Sequence, residues 1–597
     1  MATKKTTKKT AVRKKATPHI SIGGTLNRIV ETYLHPQEVS ESSWRWLPYL
    51  LVTAFILRAI VALSGDFVIH PDEIMQYLEP AHNLVFGSGV VYWEYFYGAR
   101  SWLVPGVVAG ILWICKLLGL DSPIYYIAAV KLFFCLIAVL VPWGMYIFSR
   151  RHWGERTARM ALILGVFWYE LIGFAHKPMT EFVATSLILT LLALSPMSAV
   201  TLRRAFLFGV LGTLIIAVRF QYTPVIGLIL LVGFISADKR ARAAMLGGSL
   251  AIFLGVALLE IFTWGGAFHS YYVNYKMNVI VGAGRAGESS PLIFLMWLFI
   301  ASGGLATVML PAATRIKQRG FILALILLAL LPHMLQNHRE YRFIFIVTPL
   351  WLLLLADCIV ASTGLKNAIE KVLWPAAAMS YAVLISVLGI FNSIPLQKNV
   401  YQGFSEETGK VNFIINQDPV FDLYGKLAND DSVHGVLDLT RSYFNTGGYY
   451  YLNRHIPFYD ISSWRDLIVP EKTSDYASHI ISNSAFVPEN TGVSEQGVPF
   501  LKTDKGNIRL PTFIFNGKTK KITYWDNRGQ EIVLDDYELL QQDETTALWK
   551  NINTPTRDWE DYHIIAAGGL EGVMQRIFRD NIPQVPPRYG VKFKDEN

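Results

Sequence analysis

"LPYLLVTAFILRAIVALSGDFVIHPDE", residues 47–73, joins an apolar run to two adjacent acids. The run 47–64 is long enough to cross a bilayer as a helix, because ~20 residues span the ~30 Å hydrocarbon core. Asp72 and Glu73 follow where the chain leaves the membrane. Carboxylates at that depth are costly to bury without partners, so their role depends on how the rest of the chain is threaded.

The composition is that of a membrane protein. Of the 597 residues, 52% are apolar and only 17% are charged, and the mean hydropathy is +0.32. Soluble domains carry about 25% charged residues. Apolar runs of ~16–25 residues recur along the chain, which indicates a polytopic α-helical membrane protein. Cys115, Cys135 and Cys358 lie in apolar runs without a CxxC or histidine pairing, so neither a disulfide nor a zinc site is indicated.

A basic tail precedes the first apolar run. Residues 1–18, "MATKKTTKKTAVRKKATP", contain seven lysine or arginine residues, and no apolar stretch follows at once. This pattern differs from that of a cleavable signal peptide. It favours a cytoplasmic tail near anionic headgroups. No nucleic-acid partner is expected, because no aromatic residues interleave the lysines.

Loop charge determines how the chain is threaded through the membrane. If 102–120 ("WLVPGVVAGILWICKLLGL") does not cross, the Lys/Arg-rich loops all lie on the cytoplasmic side with the N-terminus. If it does cross, they all lie outside, so we interpret 102–120 as a juxtamembrane or partly re-entrant helix. The prediction is about eleven crossings, near 47–64, 124–148, 160–175, 181–195, 204–218, 223–237, 243–263, 291–311, 320–335, 343–361 and 374–392.

This threading divides the chain into three parts. A cytoplasmic tail (1–44) is followed by a transmembrane domain (45–394), whose first external loop spans 65–123. From about 395 the apolar runs shorten and turn signals appear, as in "FNGKTKKITYWDNRGQEIVL" at 515–534. We therefore predict a C-terminal soluble mixed α/β domain at 395–597, on the non-cytoplasmic side and without a catalytic motif.

The first external loop contains the candidate acids. A helix that begins at Pro71 would present one polar face, by i, i+4, i+7, i+11 spacing, made of Asp72, Gln76, Glu79 and Asn83. Such an amphipathic helix suits a membrane surface. In the alternative interpretation, the acids only stabilise the helix start through its dipole.

Cationic side chains lie in the other external loops. They are His338, Arg339 and Arg342 of "NHREYRFI" (337–344), with Glu340 among them, and Arg219 and Lys276 in neighbouring loops. Arginine suits bidentate phosphate oxygens, and histidine adds a donor. An acid facing such cations suits group transfer from a lipid phosphate, because the carboxylate can take a proton while the cations stabilise the departing phosphate. Ordinary ion pairing between the loops is the alternative.

Two spaced motifs resemble glycosyltransferase family 22, the polyprenyl- or dolichyl-phosphate-mannose-dependent mannosyltransferases of N-glycan and GPI-anchor assembly. The first external loop carries Asp72-Glu73, Gln76-Tyr77-Leu78-Glu79, Trp93-Glu94 and Arg100-Ser101 where the family has an acidic pair, a Gln-aromatic-x-Glu helix, "WE" and "R-S". "NHREYRFIFIVTPLW" is similar to the family segment "HKE-x-RFI-x-P", with Arg339 in place of lysine. The resemblance covers about 45–390. "RFQYTP" at 219–224 departs from the family's Arg-Pro-Thr-like sequence.

The resemblance implies a GT-C fold and an inverting transfer of a hexose, with mannose expected, from a polyprenyl-phosphate donor to a glycan or glycolipid acceptor. Asp72 would be the catalytic base, and Glu73 would position the acceptor or share the proton. The expected donor-phosphate ligands are His338, Arg339, Arg342 and Arg219. The expected substrate-positioning residues are Gln76, Glu79, Trp93, Glu94, Arg100, Lys276 and Glu340. No DxD-like site accompanies a nucleotide fold, so neither a cofactor nor a metal is expected.

The expected location is a bacterial inner membrane, with the N-terminus cytoplasmic and the active site and C-terminal domain on the periplasmic or luminal side. Membrane lipids are the further expected partners, whereas the acceptor's identity and the oligomeric state stay open. A transporter of lipid-linked sugars is one alternative, but it would need no base at Asp72, and no inverted repeat favours it. A protein O-glycosyltransferase of the same fold and a surface-assembly scaffold are the others.

Overall fold

The computed structural model describes residues 44–195, 201–281, 290–304, 319–336, 338–362, 368–390, 418–440, 448–460, 473–483 and shorter stretches between 491 and 594. The basic tail up to residue 43 and the predicted domain boundary near 394 lie outside the described residues. The predicted crossing 291–311 and the segment 269–290 before it, which contains Lys276, are described only in part.

Apolar helices dominate the described residues from 47 to 390. They are α1 (Leu47–Leu63), α2 (Pro71–Glu73), α3 (Glu79–Phe86), α4 (Trp93–Phe96), α5 (Leu103–Leu117), α6 (Pro123–Ala138), α7 (Leu140–His152), α8 (Glu155–Phe167), α9 (Tyr169–Gly173), α10 (Thr180–Leu194), α11 (Leu202–Val218), α12 (Thr223–Ser236), α13 (Lys239–Trp264), α14 (His269–Tyr275), α15 (Ile293–Ala301), α16 (Gly320–Met334), α17 (Val347–Ser362) and α18 (Ala368–Ile390). Each predicted crossing is helical over most of its described length. Among the described residues, two helical stretches are long and apolar enough to cross a membrane: α6 with the directly following α7 (Pro123–His152), and α13 (Lys239–Trp264). Several shorter apolar helices accompany them. The number of crossings stays a prediction.

The outer surface of α13 is apolar, which indicates that this helix is surrounded by lipid. Leu246, Leu250 and Phe253 are each more than half exposed along it, and Phe262 is 84% exposed. An apolar stripe of this kind is unfavourable in water and is satisfied by lipid. The helix begins at Asp238, whose carboxylate accepts a hydrogen bond from the Ala241 N–H at 2.8 Å, as an N-cap does.

The predicted crossing 160–175 is not one regular helix, which corrects the sequence-based expectation. Trp168 adopts an extended conformation between α8 and α9. Its indole N–H donates to the Glu170 carboxylate at 2.9 Å. Tyr341 O–H donates to the same carboxylate at 2.6 Å, so the break contacts the loop that carries Arg342.

The helix predicted from Pro71 contains an irregularity that sequence spacing does not show. Between α2 and α3 the chain forms a π-helical turn, Ile74–Leu78. A π turn inserts one residue into the helical repeat and rotates the side chains that follow. Gln76 and Glu79, expected on an outer polar face, are only 3% and 0% exposed.

Beyond residue 418 the described residues form strands and three short helices, α19 (Pro419–Ala428), α20 (Gly448–Leu452) and α21 (Thr473–Tyr476). With β1 (Val91–Tyr92), the strands are β2 (Val436–Asp438), β3 (Phe458–Asp460), β4 (His479–Asn483), β5 (Thr491–Val493), β6 (Pro499–Thr503), β7 (Gly506–Arg509), β8 (Phe513–Asn516), β9 (Lys521–Trp525), β10 (Glu531–Leu534), β11 (Tyr537–Gln542), β12 (Thr546–Asn551), β13 (Trp559–Ala566) and β14 (Tyr589–Phe593). They form sheets ordered β1-β13-β14, β10-β9-β8, β11-β12-β4-β2-β3 and β5-β6-β7. The segment predicted as strands at 515–534 contributes to β8, β9 and β10.

The strand-rich part is docked on the first external loop. β1, which belongs to that loop, pairs in parallel with β13. The Glu79 carboxylate accepts hydrogen bonds from the Tyr450 N–H at 2.8 Å and the Val90 N–H at 3.1 Å. Tyr126 O–H donates to the Tyr450 carbonyl at 2.5 Å. These contacts hold α3 against α20 and so fix the helix that follows Asp72.

Candidate active site

Asp72 contacts an arginine from the far end of the membrane domain. His70 caps α2, because its Nδ1 accepts the Asp72 N–H at 3.1 Å, and Pro71 suits the first helical position. Arg342 lies in the 3₁₀ turn Tyr341–Ile344. Its Nη2 donates to Asp72 Oδ2 at 2.7 Å, across 270 positions of sequence. The candidate base and a candidate phosphate ligand are therefore in direct contact.

Arg342 has two further carboxylate partners. Its Nη1 lies 3.2 Å from Glu181 Oε1, and its Nε is paired with Glu340 Oε2. Arg219 Nη1 reaches the same Glu181 oxygen at 3.0 Å. We call Asp72, Glu181, Arg219, Glu340 and Arg342 the Asp72 cluster. Its three carboxylates and two guanidinium groups bring together side chains from four segments of the chain.

Two histidines border the Asp72 cluster. His70 Nε2 lies 3.3 Å from Glu340 Oε2, and His338 Nε2 lies 2.5 Å from Glu340 Oε1. His70 Nδ1 faces the Asp72 N–H, and its other ring nitrogen, Nε2, faces Glu340. The side chain of His338 is 44% exposed, so it lies at the mouth of the cluster.

The ion pairs keep the Asp72 and Glu340 carboxylates charged. Burial raises the pKa of Asp72, but Arg342 and then His70 outweigh it, so the pKa lies well below its usual range. Burial likewise raises the pKa of Glu340, and Arg342 and His338 lower it further than burial raises it. Asp72 is therefore ionised at neutral pH and able to accept a proton, although Arg342 weakens its basicity.

A partly open cavity adjoins the cluster. Arg219 and Thr180 line it, and the Arg219 Nη1 donates to Thr180 Oγ1 at 3.1 Å. Other polar walls are Gln76, Tyr77, Tyr95, Arg100, Ser101, Gln221, Ser270, Tyr271 and Asn274, whereas Leu103, Val104, Pro105, Ala217, Val218 and Phe220 make the apolar part. Such a mixed lining can receive a polar group that carries a hydrocarbon chain.

Glu73 is placed apart from the cluster. Its carboxylate lies 3.0 Å from Lys177 Nζ, and the two side chains are only 4% and 2% exposed. It also accepts the Ile69 N–H at 3.1 Å. Lys177 donates in addition to the Phe67 carbonyl at 2.6 Å. We call this contact the Glu73–Lys177 pair; it leaves Glu73 no visible access to an acceptor.

The other acids of the first external loop have different surroundings. The Glu79 carboxylate accepts hydrogen bonds from the backbone N–H groups of Val90 and Tyr450, and burial raises its pKa to about 7. Glu94 accepts from Gln76 Nε2 at 3.2 Å. Burial raises the pKa of Glu94 to about 7, although Arg100 opposes the rise. Glu94 thus contacts Gln76, which lines the cavity, whereas the Glu79 carboxylate binds backbone N–H groups.

Three predicted cations and one aromatic residue differ in their placement. Arg100 lines the cavity. Arg339 donates to the Met334 carbonyl at 3.1 Å, at the end of α16. Lys276 lies 5.4 Å from the centre of the Tyr272 ring, and Trp93 packs on the apolar cluster shared by the first external loop and the strand-rich part. The structure therefore brings Arg100 to the cavity and gives no contact of Arg339, Lys276 or Trp93 with Asp72.

Glu181 and His70 are the site residues that the sequence analysis missed. Glu181 is the first residue of the predicted crossing 181–195, and an acid at the edge of the membrane, near predicted cationic loops, was the available signal. His70 directly precedes the "PDE" motif. No group of three or more His, Cys, Asp or Glu side chains is arranged to hold a metal ion within the part of the chain that the structure describes. The expectation that no metal is required stays a prediction.

The fold is that of a known class of membrane enzymes. The structure is similar to the crystal structure of ArnT from Cupriavidus metallidurans bound to undecaprenyl phosphate, with a TM-score of 0.50 and 11% sequence identity over 86% of this chain and 99% of that chain. This likeness identifies a GT-C glycosyltransferase fold in a membrane protein, as the sequence predicts.

Residues 49–414 match the Alg9-like mannosyltransferase family, and the chain belongs to this family. It is 27% identical over 354 residues to GPI mannosyltransferase 3 of Drosophila melanogaster, covering 55% of this chain and 59% of that protein. It is 24% identical over 374 residues to human GPI alpha-1,2-mannosyltransferase 3, covering 59% of this chain and 63% of that protein. The chain spans less than two thirds of the length of these two relatives. The family resemblance seen in the sequence is confirmed, whereas a bacterial source gains no support from these eukaryotic relatives.

Proposed function

We propose that this protein is an inverting mannosyltransferase that moves mannose from a polyprenyl-phosphate donor to a hydroxyl of a glycan or glycolipid. The observation that carries this proposal is the contact between Asp72 and Arg342, which joins a proton acceptor to a phosphate ligand beside an open cavity. Membership of a mannosyltransferase family supports the sugar.

The chemistry follows from which groups can take the proton and the leaving group. The acceptor oxygen attacks the anomeric carbon opposite the phosphate, and its proton passes to Asp72 as the new C–O bond forms. The bond from the anomeric carbon to the phosphate oxygen breaks, and its electron pair leaves with the polyprenyl phosphate. Arg342 and Arg219 stabilise the charge on that phosphate. A β-linked donor would give an α-linked product.

The ion pairs suggest how donor binding activates the base. Before donor binding, Arg342 contacts three carboxylates, so a phosphate must compete with them for its N–H groups. As Arg342 turns to the phosphate, Asp72 loses the charge that most lowers its pKa. The donor would thus make Asp72 a better base in the complex than in the free protein.

The finer parts of the proposal are the ligands and the location. Arg219 and Arg342 are the principal phosphate ligands, with His338 at the mouth. The N-terminus lies in the cytoplasm, and the active site and the strand-rich part lie on the opposite side. The proposal requires no metal. Family membership favours it over the transport of lipid-linked sugars.

Transfer from radiolabelled polyprenyl-phosphate mannose tests the proposal directly. Membranes that contain the wild type, Asp72→Asn or Asp121→Asn are supplied with total host lipids as acceptor. Asp121 is an exposed carboxylate of the same external loop and provides the matched control. We expect transfer to fall by about 10²–10⁴-fold in Asp72→Asn, which is the usual worth of a general base, and to persist in Asp121→Asn.

The other outcomes are equally informative. Equal transfer by the wild type and Asp72→Asn would exclude Asp72 as the base. No transfer by the wild type, with labelled donor moved across sealed vesicles, would replace the proposal with the transporter.

A further inference from the structure

Glu181 has a position that neither the motifs nor the proposed chemistry explain. It is the second residue of α10, and its side chain is 1% exposed. One oxygen, Oε1, is shared between Arg219 Nη1 at 3.0 Å and Arg342 Nη1 at 3.2 Å. The other oxygen, Oε2, accepts from Thr180 O–H at 3.2 Å. The carboxylate is thus fixed at both oxygens.

The shared oxygen sets the distance between two buried cations. Both arginine side chains are 7% exposed, and their Nη1 atoms are at most about 6 Å apart because both touch Glu181 Oε1. Like charges so close repel strongly where water is scarce. Without an intervening anion, the two guanidinium groups would separate or turn to other partners.

One arginine lies beside the proposed base and the other lies beside the cavity. Arg342 touches Asp72, and Arg219 lines the cavity. The Nε of Arg219 is buried without a hydrogen-bond partner among the described residues, so it keeps a donor for a ligand. A phosphate between these two cations would lie at the border of the cavity, next to the base.

We infer that Glu181 is a positioning residue that holds Arg219 and Arg342 side by side, so that both bind one lipid phosphate beside Asp72. This inference rests on the proposed function for the identity of the phosphate. Glu181 itself touches neither sugar nor phosphate. It acts through the spacing of the two arginines and through the negative charge that offsets them.

The test is Glu181→Gln in the full-length protein, purified and placed in lipid nanodiscs. Two quantities are measured, the Kd for polyprenyl phosphate and kcat for mannosyl transfer. Removal of one negative charge makes the arginines more attractive to phosphate, so we expect binding about threefold tighter or more. Loss of the fixed spacing should lower kcat on the order of tenfold. A residue needed only for folding would not tighten binding.

Glu155→Gln is the matched control. Glu155 also bridges two arginines, Arg150 at 3.1 Å and Arg159 at 3.0 Å, but it begins α8 and has no contact with the Asp72 cluster. We expect Kd and kcat of this variant to equal those of the wild type. Glu181→Asp keeps the charge and shortens the side chain, so it should retain the wild-type Kd and lose kcat. This variant tests spacing even if Glu181→Gln does not fold.

The outcomes separate this inference from the proposed function. Unchanged Kd and kcat in Glu181→Gln, or wild-type kcat in Glu181→Asp, would overturn the inference while wild-type transfer stands. Tighter phosphate binding by Glu181→Gln without transfer by the wild type would support the role of Glu181 in offsetting the charge of the arginines and would reject the transferase. Weaker phosphate binding by Glu181→Gln would overturn the electrostatic part of the inference, in which the carboxylate offsets the charge of the two arginines.

Discussion

Asp72 and Glu73 are neighbours in the chain but belong to ion-pair regions of opposite character. In the Asp72 cluster, Asp72 is 20% exposed, and Arg342 divides its donors among three carboxylates. In the Glu73–Lys177 pair, one acid meets one base and both are almost fully buried. Shared and partly exposed charges can exchange partners when a ligand arrives, whereas a closed pair can only be kept or broken. The comparison assigns ligand binding to the first region and structural stability to the second.

Breaking the Glu73–Lys177 pair should have the largest effect on stability. Lys177→Met leaves the buried Glu73 without its cationic partner, and breaking a buried ion pair in this way typically costs about 3–5 kcal/mol. The measurement is denaturant unfolding in detergent, with binding of polyprenyl phosphate by the remaining folded protein as a second readout. That binding should stay at the wild-type level. The double variant Lys177→Met/Glu73→Gln should recover part of the lost stability, and a loss below about 1 kcal/mol for Lys177→Met would remove the distinction between the two regions.

Removal of the shared cation should mainly affect binding. Arg342→Gln deletes charge-assisted hydrogen bonds to a phosphate, each worth about 1.5–3 kcal/mol, so donor affinity should fall about 10–100-fold. Arg203→Gln, at an exposed arginine in the first turn of α11, is the control and should bind normally. Wild-type donor affinity in Arg342→Gln would move the phosphate site away from the Asp72 cluster.

The pH dependence of kcat/KM sharpens the comparison, because it reports the ionisation of Asp72 in the free protein. In the wild type Asp72 should stay ionised, and kcat/KM should stay level, as the pH falls from 7 through the usual range of an aspartate. Arg342→Gln removes the main cause of the lowered pKa, so its kcat/KM should begin to fall at a higher pH than in the wild type. Parallel profiles for the two proteins would show that Arg342 does not control the charge of Asp72.

The contact between the first external loop and the strand-rich part should give the smallest effect. Tyr126→Phe removes the hydrogen bond to the Tyr450 carbonyl, and a single hydrogen bond contributes about 0.5–1.5 kcal/mol to the free energy of unfolding. We expect that loss in denaturant unfolding and unchanged donor affinity. A clear fall in donor affinity would extend the functional region to the strand-rich part.

Local patterns in the sequence were sufficient to predict the helical class of the protein and the two residues of its central contact, Asp72 and Arg342. Apolar runs of bilayer length indicated the helices, and the two motifs indicated Asp72 and Arg342. Partners could not be predicted where they are distant in the chain. Glu73 looks equivalent to Asp72 in sequence, and only the fold brings Lys177 to it. Glu181 stood at the start of a predicted crossing, but its two arginines lie in two loops that are distant in sequence.

Irregular backbone was also beyond local reasoning. The π-helical turn at Ile74–Leu78 is made of ordinary helix-forming residues, so a regular 3.6-residue repeat was assumed, and it misplaced the faces of Gln76 and Glu79. The interruption at Trp168 is supported by the hydrogen bond of its indole to Glu170. No proline or glycine at that position announced it in the sequence. Both irregularities adjoin segments that carry the site.

The hydrogen bond between Glu79 and Tyr450 has a consequence for the order of events during synthesis. The two residues are 371 positions apart. At about 5–20 residues per second, a ribosome needs roughly 20–75 s to add that length of chain. Asp72 is therefore synthesised long before the segment that clamps its helix exists. A chain that ends before Tyr450 can contain every member of the Asp72 cluster and still lack the hydrogen bond to Glu79. Assembly of the site is therefore completed only after the strand-rich part has been synthesised.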